Sequence, residues 1–169
     1  VFMGTPEFSV PALESLVNSN HKVLVVYSQP ANKANRGQKI IPSSIENFAK
    51  EKSLNLRTPE NLDDDEEYNF LKKLEPDIAI VIAYGKIIPK RFLNLAKHGF
   101  INVHASLLPK WRGAAPIQRS IMNLDNQTGI SIMKIVEELD AGPVMHQDKI
   151  QINEKIDTLT LSKVLSKLG

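Results

Sequence analysis

"DIAIVIAY", Asp77 to Tyr84, decides the fold. Its apolar run shows no period-two alternation, so neither face of the segment is prepared for water, as expected of a strand covered by helices on both sides. "VLVVY", Val23 to Tyr27, reads the same way. Both are predicted as central strands of a parallel sheet.

Outward from these runs, strand-like and helix-like segments alternate. "VFM" (1–3) leads into "SVPALESLVNS" (9–19), "KVLVVYS" (22–28) into "PSSIENFAKEK" (42–52), and "LNLR" (54–57) into "DDDEEYNFLKKL" (63–74). "DIAIVIAY" is followed by "PKRFLNLAK" (89–97), and "FINVHA" (100–105) by "APIQRSIMN" (115–123). That order predicts an α/β domain, Rossmann-like and doubly wound, with a mostly parallel sheet. Past Asn123 the pattern changes: "TGISIMKIV" (128–136) and "GPVMHQDKIQI" (142–152) read as strands joined by a tight "EELDAGP" turn, an antiparallel edge. "DTLTLSKVLSKLG" (157–169) closes as an amphipathic helix with a glycine at its stop. Acids at the start of 63–74 and lysines near its end complement the helix dipole and imply nothing beyond structure.

The 169 residues, 42% hydrophobic and 24% charged, suit one globular domain with a real core. No repeat or low-complexity linker divides them. A net charge of +2 leaves polyanion binding to local clusters. Without cysteine there is no disulfide, thiolate nucleophile or Cys-ligated zinc. No apolar run approaches membrane-spanning length and the amino end carries no basic leader, so a cytoplasmic protein is expected. Both ends look abrupt, as in a fragment that stops on a domain boundary.

In such a sheet ligands bind beyond the carboxyl ends of the strands, where the strand order reverses. After the first strand, "GTPEF" (4–8) offers a glycine and a helix start but no G-x-G-x-x-G fingerprint. After the second, "QPANKANRGQK" (29–39) reads as a long, mobile, basic loop carrying Lys33, Arg36 and Lys39. At the end of "INVH", Asn102 and His104 lie two apart and so leave the same face. An amide donor and an imidazole fit acyl-transfer chemistry, and fit equally a satisfied structural pair. Asp140, in its turn, either caps its own backbone or meets His104 and fixes the ring. The "LLPKWRGAAPIQR" segment (107–119) reads as a proline-broken loop in which Trp111 simply packs and Arg112 and Arg119 are surface charges, yet its Gly113 to Pro116 run permits close approach of a flat ligand or partner backbone. His21, His98 and His146 lack partners at ligand spacing, so no metal is expected.

Taken together, "FMGTPEFSVPAL", "VIAYGKIIP", "INVHASLLPKWRGAAPIQR" and "TGISIMKIVEELDAGPV" resemble, in order and spacing, the methionyl-tRNA formyltransferase family. The resemblance covers the whole chain. The Asn-x-His, S-L-L-P and L-D-x-G elements are shared with other enzymes that use 10-formyltetrahydrofolate; "GTPEFSVPAL" and "WRGAAPIQR" are specific to the tRNA enzyme. It implies that residues 1–169 form the catalytic domain, with Asn102, His104 and Asp140 as the catalytic set. It also implies folate contacts from Ser106, Leu107, Leu108 and Pro109 and from Ala83, Tyr84 and Gly85. Lys33, Arg36 and Lys39 correspond to a segment that reaches the tRNA acceptor end, although "NKANRGQK" departs from the family's more glycine-rich, doubly basic run. The implied partners are initiator methionyl-tRNA and the folate donor, with no metal, no membrane and a monomeric enzyme; the family's C-terminal tRNA-binding domain is absent from this chain. The same motifs also fit a formyltransferase acting on an amino sugar nucleotide or ribonucleotide, or a non-catalytic folate-binding domain.

Overall fold

A computed structural model describes residues 1–34, 39–153 and 155–169, with side chains left aside for 32–34, 39 and 40. A seven-stranded sheet runs in the order β5-β2-β1-β6-β7-β8-β9. Its strands are β1 (Phe2–Gly4), β2 (Val26–Tyr27), β5 (Leu56–Arg57), β6 (Ala79–Ile82), β7 (Phe100–His104), β8 (Gln127–Lys134) and β9 (Val144–Gln151). Pairing is parallel from β5 through to β7 and antiparallel from β7 to β9. The doubly wound, mostly parallel sheet and its antiparallel edge are therefore as the sequence predicts. The order reverses between β1 and β6, which sets the crevice there.

Alternate residues of the strands feed two cores, one on each face. Phe2, Val26, Ile82 and Val103 enter one cluster with Leu13 of α1 (Val10–Val17), Ile45 of α2 (Ser44–Glu51), Ile117 of α4 (Pro116–Met122) and Leu161 of α5 (Thr158–Leu168). Met3, Tyr27, Val81 and Phe100 enter the other with Leu71 of α3 (Asp65–Leu74). Leu161 and Leu165 are fully buried, each contributing about 1.5–3 kcal/mol. The helix starts follow their caps: Ser43, Asp64 and Asp157 each accept a backbone amide from the first turn of α2, α3 and α5. The acids opening α3 do more than meet a dipole, because Glu67 is buried in an ion pair with Arg57 at 2.7 Å and accepts from Tyr27 Oη at 2.9 Å.

Four expectations change. The strand expected over 22–28 pairs only at Val26–Tyr27. "PKRFLNLAK" forms a single 3₁₀ turn, Lys90–Phe92, rather than a helix. Its later amides are drawn elsewhere, Lys97 N donating to Pro76 O at 3.0 Å and His98 N to Asp77 O at 2.7 Å. The basic loop after β2 contains an antiparallel pair, β3 (Asn32–Ala34) with β4 (Lys39–Ile41), so Lys33 and Lys39 lie in strands, while Arg36 falls outside the described residues. The turn between β8 and β9 is not tight: it spans 135–143 and is closed by Lys134 N donating to Pro143 O at 2.9 Å.

Candidate active site

Beyond the carboxyl ends of β1, β6 and β7 lies a cavity of about 780 Å³. Its floor includes Asn102 and His104, which leave the same face of β7, while Val103 between them points into the opposite core. One wall is the turn Ala83–Gly85; another is Gly113–Pro116 at the start of α4; the 135–140 segment adds a third with Val136, Leu139 and Asp140. Ala83, Ala115 and Asp140 take positive φ of 48°, 60° and 47°, a conformation that non-glycine residues hold only where their surroundings over-determine it.

The wall at 83–85 is fixed from behind. Thr5 Oγ1 donates to the Tyr84 carbonyl at 2.7 Å and Gln29 Nε2 donates to the same oxygen at 3.0 Å. Gly85 has φ +83° and packs so close to the Gln29 amide that a Cβ would collide with it. Tyr84 turns its ring into the core; burial first, then the Glu67 charge, pushes its phenol well above the usual range, so it stays neutral.

His104 is 7% exposed. Its Nε2 lies 2.9 Å from the Trp111 carbonyl oxygen and its Nδ1 3.6 Å from Asp140 Oδ2. A carbonyl only accepts, so Nε2 carries a proton and Nδ1 is left facing the carboxylate. Asp140 Oδ2 also accepts the Gly113 amide at 2.8 Å. Among the described residues no protein group bonds the Asn102 side chain, so its amide is available to a ligand. The three residues singled out from the sequence thus meet at one cavity, as do Ala83, Tyr84 and Gly85.

Ser106 to Pro109 do not line it. They form a braced loop at its edge: Ser131 Oγ donates to Ser106 O at 2.6 Å and accepts from Leu108 N at 3.0 Å, and Gln147 Nε2 donates to Leu108 O at 3.0 Å. Thr5, Gln29, Ser131 and Gln147 hold the 83–85 wall and this loop and are residues that pattern reasoning missed. Their only sequence signal is polarity beside a strand end or helix end. No group of three or more His, Asp or Glu side chains able to hold a metal occurs among the described residues, and no helix among them is long and apolar enough to cross a membrane.

A family model for formyl transferase matches residues 1–169, and the chain belongs to that family. Its relatives include the methionyl-tRNA formyltransferases of Pelagibacter ubique (strain HTCC1062), 57% identical over 100% of this chain and 55% of the relative, and of Bartonella henselae, 48% identical over 99% and 54%. The chain therefore spans about half the length of these curated relatives. In fold it is similar to phosphoribosylglycinamide formyltransferase from Anaplasma phagocytophilum, with a TM-score of 0.77 at 20% identity over 97% of this chain and 76% of that one. It is similar too to a formyltetrahydrofolate deformylase from Pseudomonas syringae, with a TM-score of 0.75 at 18% identity over 99% and 55%.

Proposed function

We propose that this chain carries the catalytic centre of a cytoplasmic, monomeric methionyl-tRNA formyltransferase, which moves a formyl group from 10-formyltetrahydrofolate to the α-amino group of methionyl-tRNA. The observation that carries the reading is the convergence of Asn102, His104 and Asp140 on one cavity, in a chain whose full length matches relatives of that name. The residues present fit the donor. The cavity volume lies within the range of small-molecule sites, its lining is mainly apolar, and the turn Ala83 to Gly85 forms a fixed wall for a flat ring. When bound, the folate presents an activated formyl group on N10.

The protein's part is electrostatics and proton handling. Asn102 donates to the formyl oxygen as attack by the amine drives charge onto it, a role worth about 10²–10³ in rate. Because His104 Nε2 is engaged by Trp111, the geometry favours the ring as proton partner of Asp140 over a second donor to the oxyanion. Asp140 and His104 Nδ1 together take the proton shed by the amine and deliver it to the departing N10, a step worth about 10²–10⁴-fold. Ser106 to Pro109 would act on the folate from the braced loop at the cavity's edge. Lys33, Arg36 and Lys39 would meet tRNA phosphates, so binding should weaken with salt and Arg36→Ala should flatten that slope.

The test is single-turnover formylation with one formyl donor and three acceptors: methionyl-tRNA, a ribonucleotide amine and an amino sugar nucleotide. Transfer to methionyl-tRNA that collapses in Asn102→Ala supports the assignment. Transfer only to a small amine gives the substrate to that class instead, and folate binding with no transfer leaves a binding module.

A further inference from the structure

We propose that Asp125 is a positioning residue for His104, acting through Trp111. The inference rests on the catalytic reading of His104 given above.

Trp111 touches both. Its carbonyl oxygen accepts from His104 Nε2 at 2.9 Å, and its indole Nε1 donates to Asp125 Oδ2 at 2.8 Å. Its backbone has φ +59°, a left-handed conformation that is costly for a bulky L residue and needs outside support. Asp125 supplies that support just past the end of α4. Its side chain is only 6% exposed, and its own amide donates to Ser120 O at 3.0 Å, which ties it to the helix. The second carboxylate oxygen accepts from Lys110 Nζ at 2.6 Å and from Asn123 Nδ2 at 2.6 Å. Lys110 also stands 5.4 Å from the centre of the Trp111 ring, so the residue preceding Trp111 is held by the same carboxylate.

On its other side the segment is tied to the chemistry. Gly113 N donates to Asp140 Oδ2, so the backbone of 111–113 reaches both members of the His104 and Asp140 pair. A carbonyl fixed at Trp111 keeps the proton on Nε2 and leaves Nδ1 opposite Asp140. Once Asp125 releases the indole, nothing else among the described side chains bonds it, and the carbonyl loses its fixed direction.

The chain allows a direct readout. In nitrogen-15 spectra of the imidazoles, wild-type His104 should show the Nε2–H tautomer when neutral. Asp125→Ala and Trp111→Phe should each yield a mixture of tautomers at His104, with His21, His98 and His146 unchanged. Trp111→Phe keeps an aromatic ring and removes the indole N–H together with the bicycle's extra volume, so it carries the test if Asp125→Ala fails to fold. In formylation assays both variants should lose roughly tenfold to a hundredfold in kcat, with little change in KM for the donor. Folded variants in which His104 keeps the Nε2–H tautomer would overturn the proposal, even if they melt at lower temperature. A tautomer change in a protein whose wild type transfers no formyl group would sustain the anchor and reject the functional reading instead.

Discussion

The carboxylate oxygen of Asp140 that lies 3.6 Å from His104 Nδ1 is the same oxygen that accepts the Gly113 amide at 2.8 Å. One atom thus anchors the loop that leads into α4 and, on the proposed function, also serves the proton chemistry. The two roles separate by substitution. Asp140→Asn retains an acceptor for Gly113 and loses the charge opposite the imidazole, so kcat should fall by about 10²–10⁴ with the melting temperature nearly unchanged. Asp140→Ala removes both, and should add a stability loss of about 1–3 kcal/mol for the unpartnered amide. Equal melting temperatures for the two variants would contradict the anchoring role.

Ser131 is the hub of the 106–109 loop. It is fully buried, donates once to Ser106 O, and accepts from Leu108 N and from Gln147 Nε2 at 2.8 Å. Ser131→Ala strips partners from a buried carbonyl and a buried amide, so it should cost about 1–3 kcal/mol in urea denaturation. Gln147→Ala, whose site is more open, should cost less. A larger loss for Gln147→Ala would reverse the assignment of the hub.

Gly142 sits where the 135–143 segment turns back beside β8, and a Cβ there would overlap the Lys134 carbonyl oxygen. That contact is backbone and has no rotamer with which to yield. Gly142→Ala should therefore shift Asp140, two residues away, cutting kcat about as strongly as a 1 Å misplacement does, roughly 10²-fold, while leaving the distant core intact. Crystal structures of the variant with Asp140 unmoved would rule this out.

The parts of this molecule that sequence makes plain are those set by neighbours along the chain. The uninterrupted apolar run of β6 reports burial on both faces, and Asn102 and His104 report a shared face by their spacing alone. Serine and aspartate caps likewise announce α2 and α5. What stays hidden depends on groups far apart in sequence. The 89–97 stretch has a helical composition, but Pro76 O and Asp77 O capture the amides of Lys97 and His98 and leave one 3₁₀ turn. The pairing of β3 with β4 lies within a segment whose composition reads as loop. Trp111 looks like packing because nothing local shows that its carbonyl meets His104 or its indole meets Asp125.

The Asp125 carboxyl also predicts an acid dependence. Burial raises its pKa, but the hydrogen bonds from Lys110, Asn123 and Trp111 outweigh that and hold it below the ordinary value of 3.8. Because the folded value is the lower one, the unfolded chain takes up this proton first as pH falls. The stabilisation is therefore whole above pH 3.8 and drains away as pH drops through the folded value. At neutral pH, Asp125→Asn should cost about 1–3 kcal/mol, with a minor share from Lys110, whose half-exposed ammonium is screened by water. The gap between wild type and Asp125→Asn should stay constant down to pH 3.8 and narrow below it. The sequence holds one tryptophan, so Trp111 emission reports the anchor directly. Wild type should red-shift only on the acid side of that value, as the indole leaves the carboxylate, whereas Asp125→Asn should show no such step. An identical acid step in both proteins would assign it to other carboxylates, such as the Asp157 cap of α5, whose pKa is likewise lowered by its bonds to Thr160.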